Sequence, residues 1–477
     1  MRSTSVSVKL CVAALAVAWL LTGCTSALHK RRLNSYNTLY NKGNYAEAAK
    51  ADGLKDEDLA KPDSGKLLEY LQAGVALRYA GDYESSCKYF DAGETLIKAH
   101  NDTLMVEDAG KNVGAVLLND AVMDYSGEEY DGIMVNTYKA MNFWQAGKMS
   151  LARVEFNRAL DRQRRAKERF AAEIAKLQKE MDEKEAAENK KLKAKSAKAQ
   201  GMDIRKNVEN PEVEEILKDK YASLYAFKPY PDFINPFTTY MAGLFFLSQN
   251  DHAKAVTLLK EAYGMMSDHP GVAADFAVAD GSMKQKSPCV WVVFENGLGP
   301  EKEELRIDLP LFVATSQVDY TAIALPKLVM RDAAYSELMV KDGADHLLGR
   351  TSSLASMDRV VQTEFKKKYP MVLTRAIVST LVKTTIQYVA KKKMGDLAGL
   401  AAAIIQGATT SADVRIWTGL PKEFQMARIS APKDGKLVIE TPGGQKLPLE
   451  VPQGRNALVY VKIPQSDAPI YHGVIAM

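Results

Sequence analysis

The chain has 477 residues, 47% of them hydrophobic, so at roughly 150 residues per domain it has material for two to four domains with real cores. Its 63 basic and 59 acidic residues leave a net charge of +4, which falls to about +2 once Arg2 and Lys9 are discounted with the leader described next. That balance singles out no charged partner and gives no reason to expect nucleic acid.

The N-terminus opens with Arg2 and Lys9, continues as an apolar run from Leu10 to Leu21, and closes on Leu21-Thr22-Gly23-Cys24. About a dozen apolar residues are too few to span a bilayer and suit an export signal. The closing four residues resemble the lipobox of bacterial lipoproteins. The resemblance implies cleavage before Cys24, diacylglycerol on its thiol and acylation of the new amine. Two or more acyl chains anchor stably, at about 0.8 kcal/mol per buried CH₂. Thr25, where inner-membrane retention would want Asp, favours the outer membrane of a Gram-negative cell, facing the periplasm. Residues 1–23 are then a signal peptide. Of the four cysteines only Cys87 and Cys289 are left, and each sits in an apolar pattern. Two buried free thiols are expected rather than one long-range disulfide, although an oxidising compartment permits the pair.

Residues 24–285 read as helical repeats. In Leu71 to Phe90, Gly74 and Ser86 are small where two helices would cross, Phe90 follows four residues later, and Gly81-Asp82-Tyr83 makes the turn. The same grammar appears at Gly43-Asn44-Tyr45 with Ala48, and at Ala140, Phe143, Gly147, Ala152, Phe156 and Ala159. It returns at Gly243, Phe246, Asn250-Asp251-His252, Ala255, Leu259 and Ala262. Closely packed antiparallel helices need small residues at the crossing and a large apolar one beside it. The pattern resembles tetratricopeptide repeats over roughly 34–160 and 230–270. The turns at 81 and 147 stand far enough apart for a degenerate copy around Val113 to Tyr130, with Ser126 to Glu129 capping a helix in it.

A charged helical insertion is expected at about 161–222. Asp161 to Gln200 holds 13 basic and 8 acidic residues, and Phe170, Ile174, Leu177 and Met181 form a short seam. It reads as a lengthened repeat helix with a wet face; a protruding arm is the alternative.

From 286 to 477 the period changes. Pro288 to Phe294 is a β-rich apolar run, and strands are expected at Glu304–Leu309, Tyr320–Leu325 and Ser336–Val340. Helices inserted at about 353–410 follow, one from Ser353 to about Lys393 and a second at Leu397–Ile405. Strands are then expected at Val414–Trp417, Phe424–Ser430, Lys436–Glu440, Lys446–Val451, Ala457–Ile463 and Ile470–Ile475. The fold class is therefore α+β and multidomain: an N-terminal repeat domain resembling tetratricopeptide proteins, then a β-rich, sandwich-like domain with an inserted helical hairpin. The longest clean apolar stretch of that hairpin is about nine residues, too short to cross a membrane.

Catalytic signatures are missing. HExxH, CxxC, the phosphate-binding GxxxxGK[ST] loop and the Gly-x-Ser-x-Gly elbow do not occur, and Gly297-Leu-Gly299 reads as a turn. No two histidines are spaced for a metal on one helix face, and His252 lies at a repeat packing position. Asp345-His346, in a Gly-rich turn, is the one pair worth inspecting. No cofactor, metal or catalytic residue is expected.

The whole chain resembles a family of tetratricopeptide-containing bacterial lipoproteins, through Val292 to Gly297 and through Val414 to Trp417 with Leu420-Pro421. The resemblance supports the architecture more than a mechanism. The expected function is a periplasmic scaffold held by its lipid, binding a protein partner of the cell envelope in the repeat groove. Tyr36, Tyr40, Tyr79, Asn136 and Lys139 are the expected groove residues. The alternatives are an envelope hydrolase, with its pocket where the β-rich half meets the helices, and a carbohydrate-binding module displaying Trp417 and Tyr460.

Overall fold

The computed structural model describes residues 32–105, 124–195, 207, 209–231, 233–312, 318–394 and 411–477. Lipidation at Cys24, the degenerate repeat copy up to residue 123 and the helix at 397–405 lie outside them, as does most of the chain between 196 and 208.

The chain is mixed helix and sheet, with helices first and a strand-rich region after them. The helices are α1 (32–41), α2 (Tyr45–Ala48), α3 (Asp56–Ala60), α4 (Leu67–Tyr79), α5 (Tyr83–Met105), α6 (Glu129–Gln145) and α7 (Met149–Lys195). They continue as α8 (Pro211–Lys220), α9 (Ser223–Ala226), α10 (Pro236–Ser248), α11 (His252–Met265) and α12 (Pro270–Ala279). Four turns share one hydrogen-bond scheme. Gly43, Gly81, Gly147 and Asn250 each take a positive φ, of 75°, 82°, 72° and 58°. The next residue then donates its N–H five residues back: Asn44 to Leu39, Asp82 to Leu77, Lys148 to Phe143 and Asp251 to Phe246. This is the Schellman helix stop, which wants glycine at the left-handed position and tolerates asparagine. The crossings close as expected. A Cβ on Gly74 would lie 2.6 Å from the Phe90 ring, and one on Gly243 2.8 Å from Leu259. Prolines start α8, α10 and α12, where the missing N–H costs nothing, and Asn210, Asn235 and His269 cap them. His252 is exposed at the start of α11 rather than packed.

The strands are β1 (Cys289–Asn296), β2 (Glu301–Phe312), β3 (Val318–Val329), β4 (Met339–Asp342), β5 (Leu347–Arg350) and β6 (Ser352–Ser356). After α13 (Met357–Met394) come β7 (Glu423–Ser430), β8 (Lys436–Glu440), β9 (Lys446–Glu450), β10 (Ala457–Ile463) and β11 (Tyr471–Ala476). Two expectations fail. Residues 353–356 pair with β7 instead of starting the helix, and 414–417 form no strand. In the first case the strand that leaves β5 switches sheets at Thr351, which bonds both Leu338 and Gln425. Ser126 caps nothing; α6 starts at a capping box between Glu128 and Asp131.

The main sheet runs β11-β10-β1-β7-β6, the second β5-β4-β8-β9, and β2 and β3 form a separate hairpin supported by α13 and α8. Strand β1 is central, parallel to β10 and antiparallel to β7, and all eight of its residues are buried. Its alternate residues serve two layers. Trp291 and Val293 face the helices, in one core with Phe424, Met426, Leu458 and Tyr460. Val290, Val292 and Phe294 face the second sheet, in another core with Leu338, Val340, Leu437 and Ile439. The first core reaches from Tyr36 to Ile475, so the helical and strand-rich regions share one interior.

Candidate functional site

Helices α1, α4, α5 and α6 turn a common inner surface toward the strand-rich region, and that surface is filled by the chain itself. The segment Ile416–Leu420, between α13 and β7, lies along it with three consecutive carbonyls each held by a separate donor. Arg331 Nη2 donates to Thr418 O (2.7 Å), the Tyr40 hydroxyl to Gly419 O (2.8 Å), and the Gly299 N–H to Leu420 O (2.8 Å). The Thr418 hydroxyl donates to Asn37 Oδ1 at 2.6 Å and accepts from Gln72 Nε2 at 3.5 Å. The Trp417 indole packs edge-on against Phe90 and Tyr138, with centroids 5.9 and 6.0 Å away. At Gly419 a Cβ would stand 2.8 Å from both Tyr36 Oη and Val75 Cγ1. Among the described atoms, Trp417 Nε1 is buried without a hydrogen-bond partner.

The expected groove residues are therefore interior. Tyr36, Tyr40 and Tyr79 are buried, and so are Asn136 and Lys139. The tyrosines do line the inner face, but what they touch is this chain: Tyr36 stacks on Tyr40, and Tyr79 donates to Glu295. Asn136 and Lys139 lie elsewhere, inside a charged knot of α5, α6 and α7. Lys139 Nζ bridges Asp91 and Glu94 at 2.6 Å and Glu155 at 3.2 Å. Asn136 Nδ2 donates to Glu94 and Glu155, while Arg162 Nε donates to Asn136 Oδ1. Burial alone would raise the Glu94 pKa; the Lys139 charge and the bonds from Lys139 and Asn136 overcome it and bring it to about 2. A buried side chain cannot meet a protein partner, so none of the five forms an accessible partner surface in this conformation.

Below this inner face, Glu295 of β1 and Lys462 of β10 stand opposite each other in register, both fully buried, with Nζ 4.0 Å from the carboxylate. Tyr79 and Tyr460 both donate to Glu295, and Lys462 donates to Gly297 O at 2.7 Å. Burial pulls the Lys462 ammonium down to about 8 against the attraction of Glu295. Arg78 fills the space between the rings of Tyr79, Tyr138 and Tyr460. Sequence reasoning passed over Glu295, Lys462 and Arg78. The available signal was a charge interrupting each apolar strand, in Val-Val-Phe-Glu295 and Val-Tyr-Val-Lys462.

Two arrangements bear on hydrolytic chemistry. His269 Nε2 lies 3.1 Å from Ser352 Oγ. Its Nδ1, however, accepts the N–H groups of Gly271 and Val272, and burial keeps the ring neutral by lowering its pKa. The ring proton therefore sits on Nε2, the nitrogen that would have to receive the serine's proton, and the pair cannot act as base and nucleophile. Asp345 and His346 occupy the exposed β4–β5 turn, where His346 Nδ1 meets Asp342 at 3.0 Å and Asp345 meets Lys341 and Lys446. Trp417 and Tyr460 are both buried, so they form no carbohydrate platform. Among the described residues no group of His, Cys, Asp and Glu is placed to hold a metal, and no described helix is long and apolar enough to cross a membrane. A surface cleft of about 620 Å³ lies between α3 and α5, lined by Leu59, Pro62, Ser85, Lys88, Asp91 and Thr95 among others.

Helices packed over a strand-rich region of two facing sheets and a separate hairpin, with a turn-forming segment along their inner face, define the architectural class. No family model, curated protein or solved structure matches the chain.

Proposed function

We propose that this chain is a scaffold of the bacterial cell envelope, anchored through acyl chains on Cys24 to the periplasmic face of the outer membrane and binding a protein partner there. The helical region is taken as tetratricopeptide-like and the two facing sheets as a sandwich. The observation that carries the reading is the set of four identical helix stops at 43, 81, 147 and 250, with close crossings at Gly74 and Gly243. A repeated helical hairpin is a unit suited to presenting an extended binding face. Helix α7 adds a second surface: it runs 47 residues, about 70 Å at 1.5 Å per residue, and beyond Phe170 its described side chains are mostly exposed.

The test has two arms. Cells expressing the chain are labelled with radioactive palmitate and fractionated beside a Cys24→Ser form; label and outer-membrane recovery should both require Cys24. Crosslinking in the same cells, followed by detergent solubilisation and mass spectrometry, should then give one stoichiometric envelope protein, lost from the Cys24→Ser form. Recovery of the unlabelled wild type in the soluble fraction would remove the anchor from the proposal. Correct placement with no stoichiometric partner would remove the scaffold.

A further inference from the structure

The inner face of α1, α4, α5 and α6 treats residues 416–420 as a peptide-binding surface treats a ligand. The segment belongs to no strand: it turns at Thr418 and Gly419, and its three carbonyls are held by groups from α1, the β1–β2 turn and Arg331 beyond β3, not by a sheet ladder. Carbonyl bonds of that kind hold the path of the backbone, here a turn at Thr418 and Gly419, whatever side chains it carries. Selectivity comes from three adjacent positions. An indole fits between Phe90 and Tyr138, a hydroxyl is read by Asn37 and Gln72, and at 419 contact with Tyr36 and Val75 leaves room for hydrogen alone. The indole nitrogen gains no bond there, so Trp417 is held by shape and apolar contact.

We infer that this face, with Gly299 and Arg331 opposite it, is a peptide-binding groove closed in cis by Ile416–Leu420, and that its ligand in trans is a protein segment that carries Trp-Thr-Gly or its chemical equivalent and makes the same turn. The inference rests on the scaffold reading and supplies its regulation: the groove opens to a partner only as the internal segment leaves. A ligand competing with a tethered copy of itself binds with an affinity reduced by the fraction of open groove.

The probe is a fluorescein-labelled peptide with the sequence of Asp413–Lys422, followed by anisotropy on the full-length chain. Two variants loosen the internal segment without altering the groove. Gly419→Val drives a methyl toward Tyr36, and Trp417→Ala removes the indole. Either variant, folded by circular dichroism and melting temperature, should bind the peptide at least about tenfold more tightly than wild type. A peptide carrying Val in place of its glycine should not bind. Three results overturn the inference: a folded variant that fails to bind, wild type binding as well as the variants, or both variants failing to fold, which would make the segment an obligatory part of the core. None of these touches the palmitate and crosslinking results, so the scaffold reading stands or falls separately.

Discussion

Asp275 offers a test of whether the helical and strand-rich regions form one cooperative unit. It is fully buried on α12, and its carboxylate accepts three bonds: from Tyr240 Oη on α10 (2.7 Å), Trp291 Nε1 on β1 (2.8 Å) and Arg428 Nε on β7 (2.7 Å). Asp275→Ala leaves all three donors behind. Tyr240 and Trp291 have no route to water, whereas Arg428 keeps 16% of its side chain exposed and is partly resolvated. Two orphaned neutral donors at about 1–2 kcal/mol each, with a discounted charge, give a loss of about 3–5 kcal/mol. Asp275→Asn should cost less, because Tyr240 and Trp291 both use Oδ2 and the amide oxygen can replace it; only the Arg428 bond on Oδ1 is lost. Urea unfolding read by tryptophan fluorescence and by far-ultraviolet circular dichroism measures both variants. The two probes should report one coincident transition, since the core is continuous, with the midpoint falling in the order wild type, Asn, Ala. A loss below about 1 kcal/mol for Asp275→Ala, or separate transitions for the two probes, would refute the reasoning.

Other outcomes follow from single sites. Burial raises the Asp131 pKa to about 7, so the native state holds a proton that the unfolded chain releases near pH 4. Stability from this group is present at low pH and lost as pH rises through 7, by up to about 4 kcal/mol. Asp131→Asn keeps an acceptor for Tyr125 and the Glu128 N–H and should flatten that slope in urea titrations at about pH 5 and pH 8; equal slopes would contradict the assignment. Gly74→Ala places a methyl against Phe90 and should cost about 1–3 kcal/mol, part of it recovered by Phe90→Leu in the same chain. Cys87 and Cys289 are buried free thiols, and burial lifts Cys87 to about 11. Both should resist a thiol reagent in the folded protein and react in urea; a chain that yields no thiol when unfolded carries a disulfide instead.

Local rules made much of the fold legible. The helix stops at 43, 81, 147 and 250 were visible because a left-handed residue followed by a helix start is a short-range signal. The run at 288–294 showed as an unalternating strand because a central strand is covered on both faces. Residues 353–356 and 414–417 were misread because their pairing depends on distant partners: β7 claims the first, and in the second Ile416 and Trp417 pack into the core beside the helices in place of a strand neighbour. The tyrosines expected in a groove illustrate the same limit. The helical pattern around Tyr36, Tyr40 and Tyr79 puts them on an inner face, but nothing within the helical region says that residues 416–420 arrive to cover it. Asn136 and Lys139 are polar residues on a helix, and only the three-dimensional convergence of Glu94, Glu155 and Arg162 shows why they are inside.

The position of β1 bears on how the molecule comes into being. Its two neighbours, β7 and β10, begin at Glu423 and Ala457, so the eight residues from Cys289 wait for partners more than a hundred residues downstream. A chain that emerges from its N-terminal end has all of α1 to α12 before it has either edge of this strand covered. Until β7 arrives both hydrogen-bonding edges of this apolar strand are open to its neighbours, and until β10 arrives one still is. Closure of this sheet thus waits for β10, and a product cut short before it exposes a surface that the folded protein buries.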